Sequence, residues 1–257
     1  MLSKIKKIKN FKSKRKLVCL TAYSKSFSRI LDKYCDIILV GDSVATAFYG
    51  MKSTKEINMD IMINHGVSVK KSVKKSTLVF DMPNNTYRNI KEAKKNAKYI
   101  LKKVGCDAVK IESNGKNSNI IRDLVKSGIP VMGHIGYTPQ FKKNFKVQGK
   151  NKFEGKKLIT EAKRIEKAGA FSVVLECITG SVSKKITSLI NIPTIGIGSS
   201  NECDGQILVT DDILGLSGFY PKFVKKYVNL EFFIDKAVRK FKKEVTKKRF
   251  PKKSNAY

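Results

Sequence analysis

The sequence predicts an α/β protein whose eight short apolar segments form the parallel strands of a closed (β/α)8 barrel. Three observations predict this fold. The segments are short, rich in β-branched residues and not alternating with polar residues, as expected for strands covered on both faces. Segments with helical periodicity lie between them. The chain of 257 residues also has the length of one such barrel.

The strands are predicted in order from the apolar segments of the chain. A doubly wound open sheet is the alternative arrangement. Against it, no GxGxxG motif opens a helix after the first strand, and eight segments suit the closure of a barrel. The predicted strands cover residues 16–22, 36–42, 76–82, 108–112, 130–136, 171–176, 193–199 and 206–215.

The segments between the strands have the periodicity of helices. Residues 89–105 form the clearest example, which ends at Gly105. Residues 155–170 repeat the design, and residues 24–34 and 181–190 are also predicted to be helical. The apolar stripes comprise Ala93, Ala97, Ile100 and Leu101 in the first helix, and Leu158, Ala162 and Ile165 in the second.

We expect a single barrel domain over residues 1–257, with two basic additions. One is an N-terminal extension of about 15 residues, and the other is a helix and tail over about residues 222–257. This C-terminal segment would cap the barrel or pack on a neighbouring subunit. The loop between Tyr137 and Gly155 is long, and such loops often cover active sites.

The composition excludes several classes of protein. No apolar segment approaches the ~18 residues that a membrane span needs, and the basic start is not followed by a signal-peptide pattern. We therefore expect a cytoplasmic protein. The five cysteines form no CxxC pair, which argues against a zinc ribbon or a disulfide framework.

The net charge of +32 favours a nucleic-acid or anionic-surface partner. The lysines, however, are spread along the chain, and no zinc-finger spacing or RRM-like aromatic signature accompanies them. We interpret the charge mainly as a solvated surface, and expect no membrane association and no specific binding of nucleic acid.

Four acidic residues, Asp42, Asp81, Glu112 and Glu176, stand at the ends of predicted strands. The carboxyl ends of barrel strands open on one face, so these side chains should meet there. Carboxylate oxygens bind divalent cations, and a carboxylate also serves as a general base. The pattern predicts an enzyme. For Asp42 and Ser43 a helix N-cap is an equal alternative, and for Glu176 a salt bridge with a lysine is the alternative.

The alternation of side chains along a strand adds a lysine to this group. Lys110 and Glu112 lie two residues apart and so share one face of their strand. Facing outward they would be buried under helices, which is costly, so we predict that they face into the barrel mouth. His134 is a possible further member, whereas His65 on a predicted helix is expected to be structural.

Ten short strings, in this order, resemble the ketopantoate hydroxymethyltransferase family. No single string is specific, but ten in the family's order are, and they cover roughly residues 17–226. The strings are LTAY (20–23), VGDS (40–43), DMP (81–83), VKIE (109–112), GHIGYTPQ (133–140), KVQG (146–149), VLEC (174–177), IPTIGIG (192–198), DGQILV (204–209) and PKF (221–223).

The resemblance implies a TIM barrel of the phosphoenolpyruvate/pyruvate type and a homo-oligomer, a decamer. It implies a transferase that moves a hydroxymethyl group from 5,10-methylenetetrahydrofolate to 3-methyl-2-oxobutanoate. The product, 2-dehydropantoate, serves pantothenate and coenzyme A synthesis. The resemblance also implies Mg²⁺, which would stabilise the enolate formed when the C3 proton leaves.

The family's functional residues are carried over position by position. Its Mg²⁺ positions are matched by Asp42, Asp81 and Glu112, and its proton acceptor is matched by Glu176. Its ketoacid-binding positions are matched by Asp42, Ser43, Asp81 and Lys110.

The chain departs from the family pattern around the predicted mouth. These departures spare the metal, ketoacid and base positions, so they affect folate recognition and turnover more than the ketoacid site. The departing positions are Ser24, Lys52, Glu56, Asn84, Asn85 and the shortened loop 141–145.

Two alternatives to this transferase are kept. One is another Mg²⁺-dependent 2-oxoacid enzyme of the aldol or lyase type, and the other is a polyanion-binding protein on a lapsed barrel.

Overall fold

Eight parallel strands close into a barrel in the computed structural model, which describes residues 2–218 and 220–257. Each strand pairs with the next along the chain, and the first pairs with the last. The strands are β1 (Leu17–Thr21), β2 (Ile37–Val40), β3 (Thr77–Asp81), β4 (Ala108–Glu112), β5 (Val131–Gly136), β6 (Ser172–Glu176), β7 (Thr194–Ile197) and β8 (Gly205–Leu208).

Helices precede, connect and follow the strands. Residues 198–204, all of them described, join β7 to β8 without a helix. Two short 3₁₀ turns cover Thr54–Glu56 and Lys253–Asn255. The helices are α1 (Leu2–Asn10), α2 (Lys25–Leu31), α3 (Val44–Ala47), α4 (Met59–Lys70), α5 (Ile90–Val104), α6 (Ser118–Lys126), α7 (Lys152–Lys167), α8 (Gly180–Leu189), α9 (Thr210–Leu214) and α10 (Leu230–Thr246).

The chain divides into two compact units, Met1–Val209 and Thr210–Tyr257. The first contains the barrel with α1 to α8, and the second contains α9 and α10. A single domain with terminal additions stays a prediction. In the part of the chain that is described, no helix is both long and apolar enough to cross a membrane.

The predicted strands agree with the observed ones except at the end of the last. We predicted a strand up to residue 215, but β8 ends at Leu208 and α9 begins at Thr210. The first turn of α9 carries Asp211 and Asp212. Acidic side chains stabilise the positive end of a helix, and the apolar residues on both sides of Asp211 and Asp212 made the strand and the helix resemble one segment.

Asparagine caps set two helix starts that the apolar pattern misplaced. The side chain of Asn151 accepts a hydrogen bond from the backbone N–H of Glu154 (2.9 Å), so α7 begins three residues before the predicted Gly155. Asn229 caps α10 in the same way, and that helix begins at Leu230 rather than near residue 222. Asparagine at the N-cap satisfies a backbone donor that the helix leaves free.

The apolar core has two layers. The outer layer lies between the strands and their helices, and it includes the predicted stripe residues of α5 and α7, with Leu101 only partly buried. The inner layer fills the barrel with alternate strand residues, which are Leu17, Cys19, Ile37, Leu39, Val79, Ala108, Met132, Val174, Ile195 and Ile207.

All five cysteines, each within the described residues, are free and buried.

Helix α1 joins the inner layer, so the basic N-terminal extension is part of the packed barrel. Its Ile5 and Ile8 are buried in the same cluster as the strand residues. Lys4 Nζ donates to the carbonyl oxygen of Ser76 (2.7 Å), at the start of β3. The apolar face of α1 thus faces the barrel while its lysines reach polar groups at the amino ends of the strands.

This packing predicts a specific cost for truncating one side chain. We expect Ile8→Ala to lower the free energy of unfolding by about 2–5 kcal/mol, because Ile8 is only 2% exposed and truncation leaves a cavity. The matched control is Leu2→Ala on the same helix, where the side chain is 71% exposed and the change should stay within about 0.5 kcal/mol. Urea denaturation measures both. Equal effects of the two substitutions would contradict the packing of α1 described here.

Candidate active site

The register of the barrel brings the strand-end side chains together. Asp81, at the end of β3, is aligned with Lys110 on β4. Glu112, at the end of β4, is aligned with His134 on β5. Glu176 ends the next strand, β6. Neighbouring strands therefore deliver acidic and basic side chains alternately around the carboxyl end of the barrel.

Asp81 and Lys110 form a buried ion pair. Lys110 Nζ lies 2.7 Å from Asp81 Oδ2, and the two side chains are 6% and 1% exposed. The same carboxylate oxygen accepts a hydrogen bond from the backbone N–H of Asp42 (3.3 Å). The side chain of Lys110 thus points into the barrel mouth, as the alternation along β4 predicts.

The buried carboxylates are short of positive charge. Burial raises the pKa of Asp81, and the attraction of Lys110 only partly offsets it. The pKa of Asp42 is raised for the same first reason, with Glu112 adding to it. Burial alone would lower the pKa of Lys110, but Asp81, Asp42 and Glu112 together raise it. Lys110 therefore stays protonated, and the acids around it still lack a full counter-charge.

His134 lies between two of the predicted acids. Its Nδ1 is 3.4 Å from Glu112 Oε1, and its Nε2 is 3.2 Å from Glu176 Oε2. Both contacts are poorly aligned for hydrogen bonding, so we treat them as electrostatic. Burial and Lys110 lower the pKa of His134, but the two glutamates outweigh them and raise it to about 9. His134 is thus a cation that links Glu112 to Glu176.

Gly136 allows β5 and β6 to approach each other at this point. It is aligned with Glu176 and has a φ of 99°, a conformation that favours glycine. A Cβ atom here would collide with the backbone oxygen of Glu176 and with Ile178. The absence of a side chain keeps the place beside Glu176 open.

Gln140 connects two of the acids, and the strand-end pattern did not predict it because it lies in a loop. Its backbone N–H donates to Glu112 Oε2 (3.0 Å), and its side-chain Nε2 donates to Asp42 Oδ2 (2.9 Å). The hydroxyl of Tyr87 donates to Gln140 Oε1. Gln140 belongs to the TPQ string of the loop after β5, and a polar residue in a long loop at this end of a barrel was the available signal.

Ser43 is placed by a tyrosine rather than by helix capping. It occupies the N-cap position of α3, but its side chain makes no capping hydrogen bond. Its Oγ instead lies 2.8 Å from the hydroxyl of Tyr23. His65 on α4 contacts the backbone oxygen of Tyr23 (2.7 Å) and the hydroxyl of Tyr49 (2.9 Å), so its contacts are with the supporting structure. Ser43 therefore holds the N-cap position that the alternative predicts, but without a capping hydrogen bond.

The donor atoms at this end of the barrel fit a hard divalent cation. Among the described residues, the buried oxygens Asp81 Oδ1 and Glu112 Oε1 have no hydrogen-bond partner. Unpartnered carboxylate oxygens are costly when buried, and they are the ligands that Mg²⁺ prefers. No three His, Cys, Asp or Glu side chains of the described chain already stand close enough to hold an ion. An ion would therefore complete its set of ligands only after at least one of these side chains has turned towards it.

A cleft with a volume of about 330 Å³ opens between α7 and the connections that follow β4 and β5, and none of the strand-end side chains described above lines it. It is bounded by the start of the β4–α6 connection at Ser113, by Gly136, and by Lys142 and Gln148 of the loop before α7. Lys142 donates to the carbonyl oxygen of Gly136 and to Gln148 Oε1. Lys142, in the shortened loop 141–145, thus fastens that loop to the end of β5.

Comparison with known proteins identifies close relatives over the whole chain. A family model described as ketopantoate hydroxymethyltransferase matches residues 2–253. The 3-methyl-2-oxobutanoate hydroxymethyltransferase of Pelagibacter ubique (strain HTCC1062) is 51% identical over 255 residues, which cover 98% of this chain and 99% of that protein. The protein of the same description from Anaplasma marginale (strain Florida) is 47% identical and covers 100% of this chain and 94% of its own.

Solved structures share the fold at low sequence identity. A phosphonopyruvate hydrolase has a TM-score of 0.65 at 10% identity, covering 99% of this chain and 91% of its own. A complex of phosphonopyruvate hydrolase with oxalate and Mg²⁺ has a TM-score of 0.63 at 10% identity, covering 98% and 93%. A 2,3-dimethylmalate lyase of the PEP mutase/isocitrate lyase superfamily has a TM-score of 0.62 at 13% identity, covering 80% and 79%. These matches confirm the predicted barrel class.

The charge on His134 predicts a pH-dependent stability in metal-free protein. A histidine whose pKa is raised from about 6.5 to about 9 stabilises the fold fully below pH 6.5, and this contribution is lost as the pH rises towards 9. The difference in Tm between the parent and His134→Gln should therefore shrink over this range. Thermal unfolding in EDTA at several pH values measures it. A difference that stays constant from pH 6 to pH 9.5 would argue against a charged His134.

Proposed function

The chain belongs to the ketopantoate hydroxymethyltransferase family, and on that premise we propose that the carboxylates of Asp42, Asp81 and Glu112 hold Mg²⁺ while Glu176 takes a proton from the substrate. The chain transfers a hydroxymethyl group to 3-methyl-2-oxobutanoate in pantothenate biosynthesis. The observation that carries the proposal is two groups of contacts, Asp42–Asp81–Lys110 and Glu112–His134–Glu176, which meet on β4, where Lys110 and Glu112 lie two residues apart.

The chemistry starts from a weak carbon acid. The C3 proton of 3-methyl-2-oxobutanoate leaves only if the negative charge that develops on the 2-oxo group is stabilised. Bound Mg²⁺ would supply this stabilisation as a Lewis acid. The unpartnered oxygens of Asp81 and Glu112 support its placement among these side chains. A solved neighbour in the same fold class was crystallised with Mg²⁺ and oxalate, a small dicarboxylate.

Two side chains are suited to bind the substrate. Lys110 keeps its charge because three carboxylates surround it, and it would pair with the substrate carboxylate. The hydroxyl of Ser43, held by Tyr23, would donate or accept a hydrogen bond at the same end of the barrel. Together with Asp42 and Asp81 they make up the ketoacid site that we propose.

Glu176 is suited to act as the base. Its side chain is 18% exposed, more than those of Glu112 and Asp81 at 1% each, so a substrate above the barrel can reach it. The charged His134, 3.2 Å away, holds the Glu176 side chain in place by electrostatic attraction. The resulting carbanion would attack the one-carbon unit of 5,10-methylenetetrahydrofolate, the donor that we propose. Tetrahydrofolate would leave as its bond to this carbon breaks, and water would supply the hydroxyl group.

Removing the base should abolish proton removal. We expect Glu176→Gln to lower the Mg²⁺-dependent exchange of the C3 proton of 3-methyl-2-oxobutanoate in D₂O by about 10²–10⁴-fold, because the amide cannot accept the proton. The matched control is Glu166→Gln, which also removes one negative charge but near the C-terminal end of α7, where Glu166 accepts from the backbone N–H of Asn191, and it should leave exchange within a few-fold. NMR measures the exchange. Exchange that survives in Glu176→Gln, or that never occurs in the intact protein with Mg²⁺, would refute the assignment.

Running the folate-dependent assay beside the exchange assay separates the alternatives. Exchange without product from 5,10-methylenetetrahydrofolate would favour a different electrophile, as in other 2-oxoacid enzymes of this fold. The absence of specific nucleic-acid binding and a cytoplasmic location stay predictions. A steep salt dependence of nucleic-acid affinity at physiological salt would favour the polyanion-binding alternative instead.

An exposed apolar stripe on α10 supports the homo-oligomer that the family resemblance implies. Four apolar side chains on this helix, Ile234, Val238, Phe241 and Val245, follow each other at intervals of four, three and four residues, so they form one stripe. Each is between 45% and 59% exposed in the single chain. An exposed apolar stripe of this kind is typical of an interface, and we propose that it packs against another copy in a decamer.

Charging this stripe should break the assembly. We expect the double variant Val238→Asp/Phe241→Asp to sediment as a smaller species than the parent, because two charges cannot be buried in an apolar interface. The control, Lys236→Asp/Lys243→Asp, changes the charge of α10 further but lies off the stripe, and it should keep the parent size. Analytical ultracentrifugation measures both. An unchanged sedimentation coefficient in Val238→Asp/Phe241→Asp would exclude the stripe as an interface.

A further inference from the structure

Gln140 makes contacts that the proposed mechanism does not use. The residue is 3% exposed and lies in the loop between β5 and α7. Its backbone N–H donates to Glu112 Oε2 (3.0 Å), and its Nε2 donates both to Asp42 Oδ2 (2.9 Å) and to the carbonyl oxygen of Met82 (3.0 Å). One residue therefore joins side chains that come from the ends of β2 and β4.

These hydrogen bonds occupy one oxygen of each carboxylate. Glu112 is held by Oε2, and its Oε1 has no hydrogen-bond partner among the described residues. Asp42 is held by Oδ2. Because a carboxylate fixed at one oxygen has lost most of its rotational freedom, its other oxygen is held in a defined direction. The two proposed ligands are thus oriented before an ion arrives.

The partners of the Gln140 amide determine which way it faces. Its buried hydroxyl donates to Gln140 Oε1, while the carbonyl oxygen of Met82 accepts from Nε2. With the amide reversed, Oε1 would face two acceptors, Asp42 Oδ2 and the Met82 carbonyl, and Nε2 would face the tyrosine hydroxyl. The observed orientation alone presents a donor to the Asp42 carboxylate.

We propose that Gln140 is a positioning residue that sets Asp42 and Glu112 in place for the divalent cation, and that the hydroxyl of Tyr87 holds its amide. The proposal rests on the proposed function, because it concerns the same metal site. Gln140 also ties the loop after β5 to both carboxylates, so order in that loop and affinity for the ion should rise and fall together. Outer partners of metal ligands typically change metal affinity by about 10–100-fold.

The central variant removes the side-chain amide and keeps the backbone N–H. We expect Gln140→Leu to weaken Mn²⁺ binding, followed by the EPR signal of the free ion, by about 10–100-fold. Proton exchange at saturating Mn²⁺ should recover to within a few-fold of the parent, because Glu176 is untouched. Gln148→Leu is the matched control, since Gln148 lies in the same loop but bonds to Lys142 and Lys146, and it should bind Mn²⁺ as the parent does.

A second variant, which makes a smaller change, tests the hydrogen bond that holds the amide. Tyr87→Phe removes one hydroxyl and keeps the ring. It therefore tests the proposal even if Gln140→Leu does not fold. We expect a loss of Mn²⁺ affinity of a few-fold to about 10-fold. Lower Tm with unchanged Mn²⁺ affinity in these variants would show a merely structural role and overturn the proposal.

An error in the proposed function would give different experimental results from an error in the role of Gln140. If it is wrong, the parent protein shows no metal-dependent exchange, or Asp81→Asn binds Mn²⁺ as tightly as the parent. If only the role of Gln140 is wrong, the parent exchanges the proton, Asp81→Asn loses Mn²⁺, and Gln140→Leu does not. The three measurements on parent, Asp81→Asn and Gln140→Leu therefore separate the two claims.

Discussion

Negative charge buried at the carboxyl end of the barrel is the constraint on which the rest of the site depends. Asp42, Asp81 and Glu112 are each at most 5% exposed, and burying a carboxylate without a partner costs several kcal/mol. With Glu176 there are four carboxylates, against two cationic side chains, Lys110 and His134. The difference is two negative charges, which is the charge that one divalent cation would neutralise. The raised pKa of Asp42 and Asp81 expresses the same shortage in metal-free protein.

The barrel also buries acids at its other end, and these are fully partnered. Asp32 accepts backbone N–H bonds at the start of β3, among them one from Ser76 (2.8 Å), and they outweigh burial and lower its pKa. Asp204 accepts from the backbone N–H of Thr194 (2.8 Å) and from Lys12 Nζ (2.8 Å). Asp204 thus connects the segment that follows α1 to the start of β7. The acids at the two ends of this barrel therefore differ in how completely they are partnered.

Regular sequence patterns predicted the features that follow from repeating backbone geometry, and they did not predict contacts between loops. Strand segments and their period-2 alternation predicted the barrel, the strand-end acids and the inward side chain of Lys110, because each follows from regular backbone geometry. Gln140 and Tyr87 escaped, because their contacts join loops 53 residues apart and no periodicity marks them. The role of α1 escaped because its lysines dominate its composition, while only Ile5 and Ile8 reach the interior.

The central claim is that Asp42, Asp81 and Glu112 hold the divalent cation at the end of the barrel, with Glu176 left free. Anomalous scattering from crystals grown with Mn²⁺ and 3-methyl-2-oxobutanoate tests it most directly. The account predicts an anomalous peak within coordinating distance of carboxylate oxygens of this group, with the ketoacid beside it and Glu176 outside the coordination sphere. A peak coordinated by Glu176, or by acids at the amino end of the strands such as Asp32 and Asp204, would contradict it.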